Sequence, residues 1–347
     1  MGAQEMDELD LDLVAALQYA PRAPSSALAE VLDSSPSTVG RRLQRLQTSG
    51  QLRVVGQLDW SLVSDAHPRH MWLHAESGRA VEVARRLARM PEVQLVALSS
   101  GRADIYCVVH PSERTRATEL LTTEIPSVEG VRAGQSDLVL RPITRADAWT
   151  LDRLPPERLE ALRPYRTHVP EQDDGAAAAS GPLTGDEIEV AGILHADART
   201  GSGDVARELG VSQSTAYRLV QSLLERGVVR PRVEVEPERL GMHLEVILSL
   251  TVRPGAIAHV AEKLASHPSA RYVSVVAGEV SLIHHGAFRD ERELGRFITE
   301  DLAALPGVAD VRSSVLLEVL RRYWIDRADG LLGEASLPFT RKDRPRR

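Results

Sequence analysis

Apolar residues recur at helical spacing in three successive stretches near the N-terminus. Leu9, Leu13 and Leu17 indicate a first amphipathic helix, and residues 25–32 indicate a second, shorter one. After a tight turn, a third helix begins at residue 35 and places its apolar residues on one side at spacings of three and four. A helix, a short helix, a brief turn and a capped helix are typical of a helix-turn-helix, whose last helix enters the major groove.

The third helix has a second copy further along the chain. SPSTVGRRLQRLQTSG at 35–50 recurs as SQSTAYRLVQSLLERG at 212–227. In both copies a serine can cap free backbone N–H groups at the start, and a glycine suits the left-handed conformation at the end. The repeat continues at a constant offset, as in Gly101 and Gly278 (278−101 = 177). The chain is therefore a tandem duplication.

The second part of each copy alternates strand and helix patterns. The predicted strands of the first copy are 71–75, 93–99, 105–109 and 131–140, with helices at 81–90 and 114–125. Those of the second copy are 245–252, 271–276, 280–285 and 308–320, with helices at 256–267 and 291–305. The order βαββαβ is the ferredoxin-like split motif, whose sheet leaves one face bare and in need of a partner. Extended runs at 52–59 and 228–235 are expected to form a wing or a strand leading out.

The spacing of two prolines predicts a difference in length between the copies. Pro126 and Pro306 lie 180 residues apart (306−126), and so do Val131 and Val311 (311−131). We therefore expect one loop of the second copy to be three residues longer.

A polar stripe lies beside the apolar side of the third helix. It consists of Thr38, Arg41, Arg42 and Arg45. Four arginines and no acid lie between residues 34 and 53, in a chain with a formal net charge of −7. A positive strip on an acidic molecule is what local phosphate binding requires. The alternative interpretation is an ordinary solvated helix face.

The corresponding helix of the second copy keeps one arginine, Arg218, because Leu219 and Ser222 replace the other two. Tyr217 stands where the first copy has Gly40, and it could add a backbone or base contact. We expect the first copy to dominate DNA binding, and the second to bind more weakly or to another half-site.

Composition excludes several classes of protein. The chain has 347 residues, 43% of them hydrophobic, which is enough for two or more packed domains. No apolar run approaches the roughly 18 residues of a membrane span, and the acidic start is unlike a signal peptide. Cys107 is the only cysteine, so no intrachain disulfide or cysteine-built metal site can form. We expect a cytoplasmic protein without a metal or a cofactor and without a membrane partner.

The helix-turn-helix followed by βαββαβ resembles the leucine-responsive/asparagine-operon (Lrp/AsnC) family of regulators. The matching motifs are Ser35-Pro36-Ser37-Thr38-Val39, Arg41-Arg42, Leu46, Gly50, Gly101-Arg102-Ala103-Asp104, Pro237 and Leu240-Gly241. The resemblance implies an α+β fold with two copies of a winged helix-turn-helix plus a ferredoxin-like regulatory domain. It also implies a sequence-specific transcriptional regulator whose regulatory sheets pair face to face. Small molecules, typically amino acids, bind where such domains meet.

The resemblance also assigns candidate site residues. The candidate contacts to double-stranded DNA are Ser35, Ser37, Thr38, Arg41, Arg42 and Arg45, with Ser212, Gln213, Ser214, Thr215, Tyr217 and Arg218 in the second copy. We expect Arg41 and Arg45 to contact guanine edges or phosphates, and Arg42 to contact a phosphate. The candidate effector site comprises Gly101, Arg102, Asp104, Gly278 and Ser281. Asp104 could pair with the amino group of a ligand, whereas Ser281 removes that carboxylate from the second copy.

Six segments follow from these predictions. They are a first helix-turn-helix (1–60), a first βαββαβ domain (66–142), a linker (143–182) with a helix at 151–162, a second helix-turn-helix (183–236), a second βαββαβ domain (243–325) and a basic tail (336–347). Most family members carry one copy and dimerise, so this chain is expected to form either a homo-oligomer or an intrachain pseudo-dimer.

An alternative function belongs to a different class. Some proteins that resemble this family are enzymes, notably sirohaem decarboxylases of tetrapyrrole synthesis. Such chemistry requires histidine and arginine around a cavity between the regulatory domains. His110, His284 and Arg102 are the candidates here. The arginine stripe of the first copy favours the regulator, since an enzyme does not need it.

Overall fold

The computed structural model describes residues 5–59, 64, 66–144, 149–167 and 183–336. The chain divides into two compact units. The helix-turn-helix unit comprises Met1–Val63, Thr150–Glu236 and Ala328–Arg347, and the barrel unit comprises Ser64–Trp149 and Pro237–Arg327. Each unit therefore combines the corresponding parts of both copies.

The two copies have the same order of elements. The first contains α1 (Glu8–Tyr19), α2 (Ser25–Val31), α3 (Pro36–Thr48), β1 (Leu52–Leu58), β2 (Arg69–Ala75), α4 (Ala80–Leu87), β3 (Val93–Ser100), β4 (Ile105–Val109), α5 (Arg114–Glu119) and β5 (Val131–Thr144). After α6 (Pro156–Leu162), the second contains α7 (Gly185–Ala196), α8 (Ser202–Leu209), α9 (Gln213–Glu225), β6 (Val229–Val235), β7 (Leu244–Val252), α10 (Ile257–Ala265), β8 (Ala270–Ala277), β9 (Leu282–Phe288), α11 (Glu291–Arg296) and β10 (Val308–Arg322). Two short strands follow, β11 (Ile325–Ala328) and β12 (Leu331–Ala335).

The helix-turn-helix unit joins its two copies through a two-stranded antiparallel sheet of β1 and β6. These strands were expected as wings or outgoing strands, and they pair with each other. Val55 lies opposite Arg232, which is its own counterpart in the repeat (232−55 = 177). Arg22 donates to the main chain of the second copy, and its counterpart Arg199 donates to the carbonyl oxygen of Pro21 at 2.6 Å. The two helix-turn-helix copies are thus related by a local pseudo-two-fold axis.

The barrel unit is one closed antiparallel sheet. Its strands are hydrogen-bonded in the order β10-β3-β4-β2-β5-β8-β9-β7, and β7 pairs in turn with β10. The long strand β5 pairs first with β2 of its own copy and then with β8 of the other, while β10 passes from β7 to β3. The two sheets therefore also join edge to edge within the chain, in addition to the expected packing of one face against the other. The helices of each copy pack on the outside, over the apolar residues of their own strands.

The inner face of the barrel holds an apolar cluster with contributions from both copies. It includes Trp72, Leu95, Ala97, Tyr106, Val108, Ile247, Ile283 and Leu316. Side chains alternate across each strand, so these residues come from the strand positions opposite to those that face the helices. The bare sheet face of each copy is therefore covered by the other copy's sheet.

A buried polar network lies on the inner face, and most of its residues come from the first copy. His70 Nδ1 lies 2.6 Å from the hydroxyl of Tyr106, although their counterparts in the second copy are Ile247 and Ile283. His70 Nε2 lies 3.3 Å from the hydroxyl of Ser274. Burial lowers the pKa of His70 to about 3, so its ring is neutral at physiological pH.

The second copy adds a buried ion pair. Both carboxylate oxygens of Glu245 accept hydrogen bonds from Arg322 at 2.8 Å, and His285 Nε2 lies 2.9 Å from Oε2. Burial opposes ionisation of Glu245, but the charge of Arg322 and the contact with His285 outweigh it. They hold the pKa of Glu245 well below its usual range. The counterparts of Glu245 and His285 in the first copy are Pro68 and Val108 (245−177 and 285−177).

The repeat offset stays at 177 residues to the end of the second domain. Val131 begins β5 and Val308 begins β10 (308−131 = 177), and the preceding glycines both have positive φ angles, +94° at Gly130 and +101° at Gly307. The π-helical turn after α5, Leu120–Glu124, also has a counterpart after α11. The offset of 180 was therefore wrong, because similar residues were matched without the strand register.

The connecting segments differ in part from the predictions. The helix expected at 151–162 begins only at Pro156, which sits at its first turn and fixes the start. The strands β11 and β12 were missed, although Asp329-Gly330 between them is a strong hairpin signal. Residues 168–182 of the predicted linker and 337–347 of the basic tail lie outside the described residues. Among the helices that the structure describes, none is long and apolar enough to cross a membrane.

Candidate functional site

The start of α3 carries a cluster of hydroxyl groups. Ser35 Oγ accepts a hydrogen bond from the backbone N–H of Thr38 at 3.1 Å and lies 2.9 Å from Ser37 Oγ. In α9, Ser212 Oγ accepts from Thr215 N–H at 3.2 Å in the same way. Both helices have 13 residues, so their first turns present free N–H groups and the positive end of a helix dipole. This is an arrangement that binds phosphate.

Two of the three candidate arginines on α3 are held by acids at the start of α1. Arg42 Nη1 lies 2.7 Å from Asp7 Oδ2 and 2.8 Å from Asp10 Oδ1, and Arg45 Nη2 lies 2.5 Å from Asp10 Oδ2. Asp10 is buried, with 1% of its side chain exposed. A buried carboxylate needs such partners, because an unpaired buried charge is strongly unfavourable.

These ion pairs revise the roles expected for Arg42 and Arg45. Both side chains tie the recognition helix to α1, so they position α3 in the free protein. Arg41 differs from them: its side chain is exposed and forms no hydrogen bond or ion pair with any residue that the structure describes. The arginine stripe is therefore reduced to one arginine that is available to a partner.

The second recognition helix presents a similar surface. Gln213, Tyr217 and Arg218 are exposed, and Arg218 forms no ion pair within the described part of the chain. Arg218 is the counterpart of Arg41 (218−41 = 177). Each recognition helix therefore offers one unpaired arginine at the same position, which removes the reason for ranking the first helix above the second.

Sequence reasoning missed a glutamine on the same face of each helix. Gln44 and Gln221 follow the unpaired arginines by three residues and correspond in the repeat (221−44 = 177). Residues three and four apart share one side of a helix. The outward face of α3 is defined here as Ser37, Gly40, Arg41 and Gln44, and the outward face of α9 as Ser214, Tyr217, Arg218 and Gln221. The identical spacing in the two copies was the signal that could have revealed the glutamines.

The first candidate effector loop surrounds Arg102, whose guanidinium group is already occupied. Its Nη1 lies 3.2 Å from Asp137 Oδ2, its Nη2 lies 3.0 Å from Glu279 Oε2, and its Cζ lies 4.6 Å from the centre of the Trp72 ring. Glu279 is the counterpart of Arg102 (279−102 = 177), so the two loops meet through oppositely charged residues. An effector that used Arg102 would have to displace these partners.

The backbones of the two loops are held in matching ways. Arg102 N–H donates to Ser314 Oγ at 3.2 Å, and Glu279 N–H donates to Asp137 Oδ1 at 3.1 Å. Gly101 has a φ angle of +106°, and a Cβ there would collide with a backbone carbonyl of β10. A Cβ at Gly278 would collide with the carboxylate of Asp137. Both glycines are therefore required by close packing of the loops.

Asp104 and Ser281 perform the same structural task. Asp104 Oδ2 accepts from the N–H of Ala75 at 3.0 Å, and Ser281 Oγ accepts from the N–H of Val252 at 3.2 Å. Ala75 and Val252 are themselves counterparts (252−75 = 177). The side chain of Asp104 is half exposed, and its hydrogen bond to Ala75 and its contact with His74 both use Oδ2. The carboxylate is therefore partly open to solvent.

Family models match both parts of each copy. Residues 6–47 match the AsnC-type helix-turn-helix domain, and residues 245–324 match the Lrp/AsnC ligand binding domain. Residues 79–152 match a C-terminal dimeric alpha+beta barrel domain, and residues 193–232 match the IclR helix-turn-helix domain.

Relatives match over the length of one copy. The HTH-type transcriptional regulator AldR of Mycolicibacterium smegmatis is 31% identical over 132 residues, which are 37% of this chain and 77% of the relative. The chain belongs to the Lrp/AsnC family of transcriptional regulators. Another member, LrpA of Pyrococcus horikoshii, is 29% identical over 130 residues, which are 37% of this chain and 92% of that protein.

The tandem form of this Lrp/AsnC chain has a structural parallel. The crystal structure of the sirohaem decarboxylase NirDL covers 91% of this chain and 93% of its own, with a TM-score of 0.60 and 14% sequence identity. This likeness shows a shared fold. Two of the residues considered for such an enzyme are not brought together here: His284 packs 5.2 Å from the Phe297 ring on the helix side of the sheet, whereas Arg102 lies over Trp72 on the inner face.

Proposed function

We propose that this Lrp/AsnC regulator binds double-stranded DNA sequence-specifically through the outward faces of α3 and α9. The supporting observation is that each face carries one exposed arginine, Arg41 or Arg218, which no carboxylate of the described residues holds. The serines that begin each helix would contact phosphates through their hydroxyl and N–H groups, and the arginines would reach guanine edges.

The other two arginines of α3 have a positioning role in this proposal. Arg42 and Arg45 fix the recognition helix against α1 through Asp7 and Asp10. Removing either one should weaken folding of the first helix-turn-helix, with a smaller and secondary effect on the choice of DNA sequence.

The test compares the affinity of variants for a selected duplex and for random DNA. Arg41→Ala and Arg218→Ala should each weaken binding to the selected duplex by about 5- to 150-fold, with a much smaller effect on random DNA. Arg163→Ala is a matched control, because Arg163 is exposed, lies outside the recognition helices and, among the described residues, pairs only with its near neighbour Glu160.

Two results would contradict the proposal. Equal losses on selected and random DNA would mean that the arginines contact phosphates and not bases. In that case the salt dependence of binding would become shallower in each variant by about one ion per arginine. Unchanged binding in both variants would mean that the DNA interface lies elsewhere on the molecule.

We also propose that a small molecule, of the amino acid class, acts through the loop that contains Asp104. This half-exposed carboxylate suits a ligand's ammonium group, and the half-exposed ring of His74 lies beside it, with Nδ1 3.6 Å from Oδ2. A thermal-shift screen of amino acids against the wild type and Asp104→Asn tests this. A stabilising ligand that is equally effective on both proteins would argue against this carboxylate.

A further inference from the structure

The outward faces of α3 and α9 agree at three of four positions. Serine, arginine and glutamine occur in both at the same spacing, whereas Gly40 of the first corresponds to Tyr217 of the second. Arginine pairs with guanine and glutamine with adenine through two hydrogen bonds each in the major groove. The shared residues therefore favour related base pairs in both half-sites.

Tyr217 lies outside the apolar core that holds α9. Its side chain is 55% exposed, and it forms no hydrogen bond with the residues that the structure describes. The core residues of this helix are Ala216, Val220, Leu223 and Leu224. An exposed aromatic ring beside an unpaired arginine, on the helix that would enter a groove, is available to a partner.

The position of Gly40 is open in the first copy. A Cβ built there would meet only Ser25 Oγ, at 3.9 Å, which is ordinary contact. Glycine is therefore not required at this position by packing, and it leaves a space between α3 and any bound duplex. Water can fill that space without selecting a base pair.

Because β1 pairs with β6, the outward faces of α3 and α9 belong to the same helix-turn-helix unit. The register of β1 with β6 centres on the equivalent residues Val55 and Arg232, and Arg22 and Arg199 form reciprocal contacts across it. A single chain therefore has the two-fold symmetry that Lrp/AsnC proteins with one copy would need two chains to produce, but the two halves are chemically different.

We propose that one chain recognises a pseudo-palindromic duplex in which Tyr217 makes the second half-site more selective than the first. This inference rests on the proposed DNA binding. The half-sites are alike at the base pairs that face arginine and glutamine. They differ at the base pair that faces Tyr217, where the ring can pack on a thymine methyl group and the hydroxyl can reach a base edge.

Selection of bound duplexes from a random pool by the full chain tests the inference. The wild type should yield an asymmetric site, with one position specified in only one half. Gly40→Tyr should extend that preference to the first half-site, and Tyr217→Ala should abolish it in the second. Tyr165→Ala is the matched control, since Tyr165 is also an exposed tyrosine and lies outside the recognition helices.

The affinities give the quantitative form of the test. Tyr217→Ala should lose about 5- to 150-fold on the wild-type site and much less on a duplex with two copies of the first half-site. A symmetric wild-type site, or a loss that is equal on all duplexes, would overturn the inference while leaving DNA binding intact. Absence of any selected DNA would instead remove the proposed function on which the inference rests. Thermal melting of each variant shows whether it is folded.

Discussion

The two copies have remained similar in one unit of this chain and have diverged in the other. In the helix-turn-helix unit, the outward faces of both copies carry the same serine, arginine and glutamine. In the barrel unit, inner positions that correspond in the repeat have opposite polarity, such as His285 and Val108 or His70 and Ile247. The outward faces thus have the same residues in both copies, whereas the polar inner residues of the barrel occur in only one copy.

Physical chemistry accounts for this difference. In the proposed complex, a duplex with two half-sites would present similar groups to both recognition helices, so similar side chains would suit both. The interior of a barrel is one volume that both copies fill together, and interiors are packed at nearly constant density. A polar side chain from one copy needs hydrogen-bond partners there, and an apolar counterpart from the other copy leaves those partners available.

The largest effect should come from the buried ion pair of the barrel. Glu245→Ala would remove the carboxylate that accepts from Arg322 and contacts His285, and we expect a loss of about 3–5 kcal/mol in the free energy of unfolding. Chemical denaturation followed by circular dichroism measures it. Asp204→Ala is the control, because its ion pair with Arg207 is exposed and should contribute less than about 1 kcal/mol. Similar small losses in both variants would mean that solvent reaches Glu245.

A second prediction concerns the acids that hold the recognition helices. Asp10→Ala should cost about 1–3 kcal/mol of stability, because it removes hydrogen bonds to two charged groups. It should also release Arg45, while Arg42 keeps its pair with Asp7, so affinity for random DNA should rise and its salt dependence should become steeper by about one ion.

Glu187→Ala provides the matched comparison in the second copy. Glu187 corresponds to Asp10 (187−10 = 177), completes the same kind of capping box, and pairs with Arg226 near the end of α9. It should lose similar stability without gaining DNA affinity, since Arg226 follows the last turn of the helix. A rise in affinity in both variants would point to a general effect of lost negative charge.

The duplicated fold was largely accessible from the sequence, because caps, apolar spacing and the repeat are local signals. The predicted strand 105–109 coincides with β4, for example. The sequence did not predict how the two sheets join. The sequence of β5 indicates a strand, but it does not show that the strand pairs with β2 up to Leu138 and with β8 from Leu138 onward. A register shift between Val139 and Arg141 follows this crossover, and the side chain of Leu140 is exposed there.

The candidate site was predicted in outline and revised in detail. Composition showed an arginine-rich helix, but it could not show that Asp10, 32 residues before Arg42, would be buried against it. Ion pairs between distant segments carry no periodic signal in a sequence. The glutamines of the outward faces carry no charge signal, although their equal positions in the repeat mark them.

A third prediction concerns His284, whose counterpart in the first copy is the buried Cys107 (284−107 = 177). Both ring nitrogens of His284 lack hydrogen-bond partners among the described residues, and burial lowers its pKa to about 3. His284→Leu should therefore raise stability at pH 7 by about 1 kcal/mol, because it removes unsatisfied polar groups at a similar volume.

The same substitution should change the pH dependence of folding. A histidine whose pKa is lower in the folded state than its unfolded value of about 6.5 takes up protons preferentially on unfolding. Stability should therefore fall by up to about 1.4 kcal/mol per pH unit as the pH drops from 6.5 towards 3. His284→Leu should make this fall less steep, while His70 preserves a similar contribution. An unchanged slope in denaturation curves between pH 7 and pH 4 would contradict burial of His284.

The smallest effect is expected where the two copies use different residues for one task. Asp104→Ser should change stability by less than about 0.5 kcal/mol, because serine at 281 already accepts the equivalent backbone N–H in the second copy. Asp104→Ala should cost about 1 kcal/mol, since it leaves the N–H of Ala75 without this acceptor. If Asp104→Ser folds like the wild type but no longer responds to an amino acid that stabilises the wild type, the carboxylate serves the ligand. If both properties survive, Asp104 and Ser281 are interchangeable, and the effector must be held by other groups.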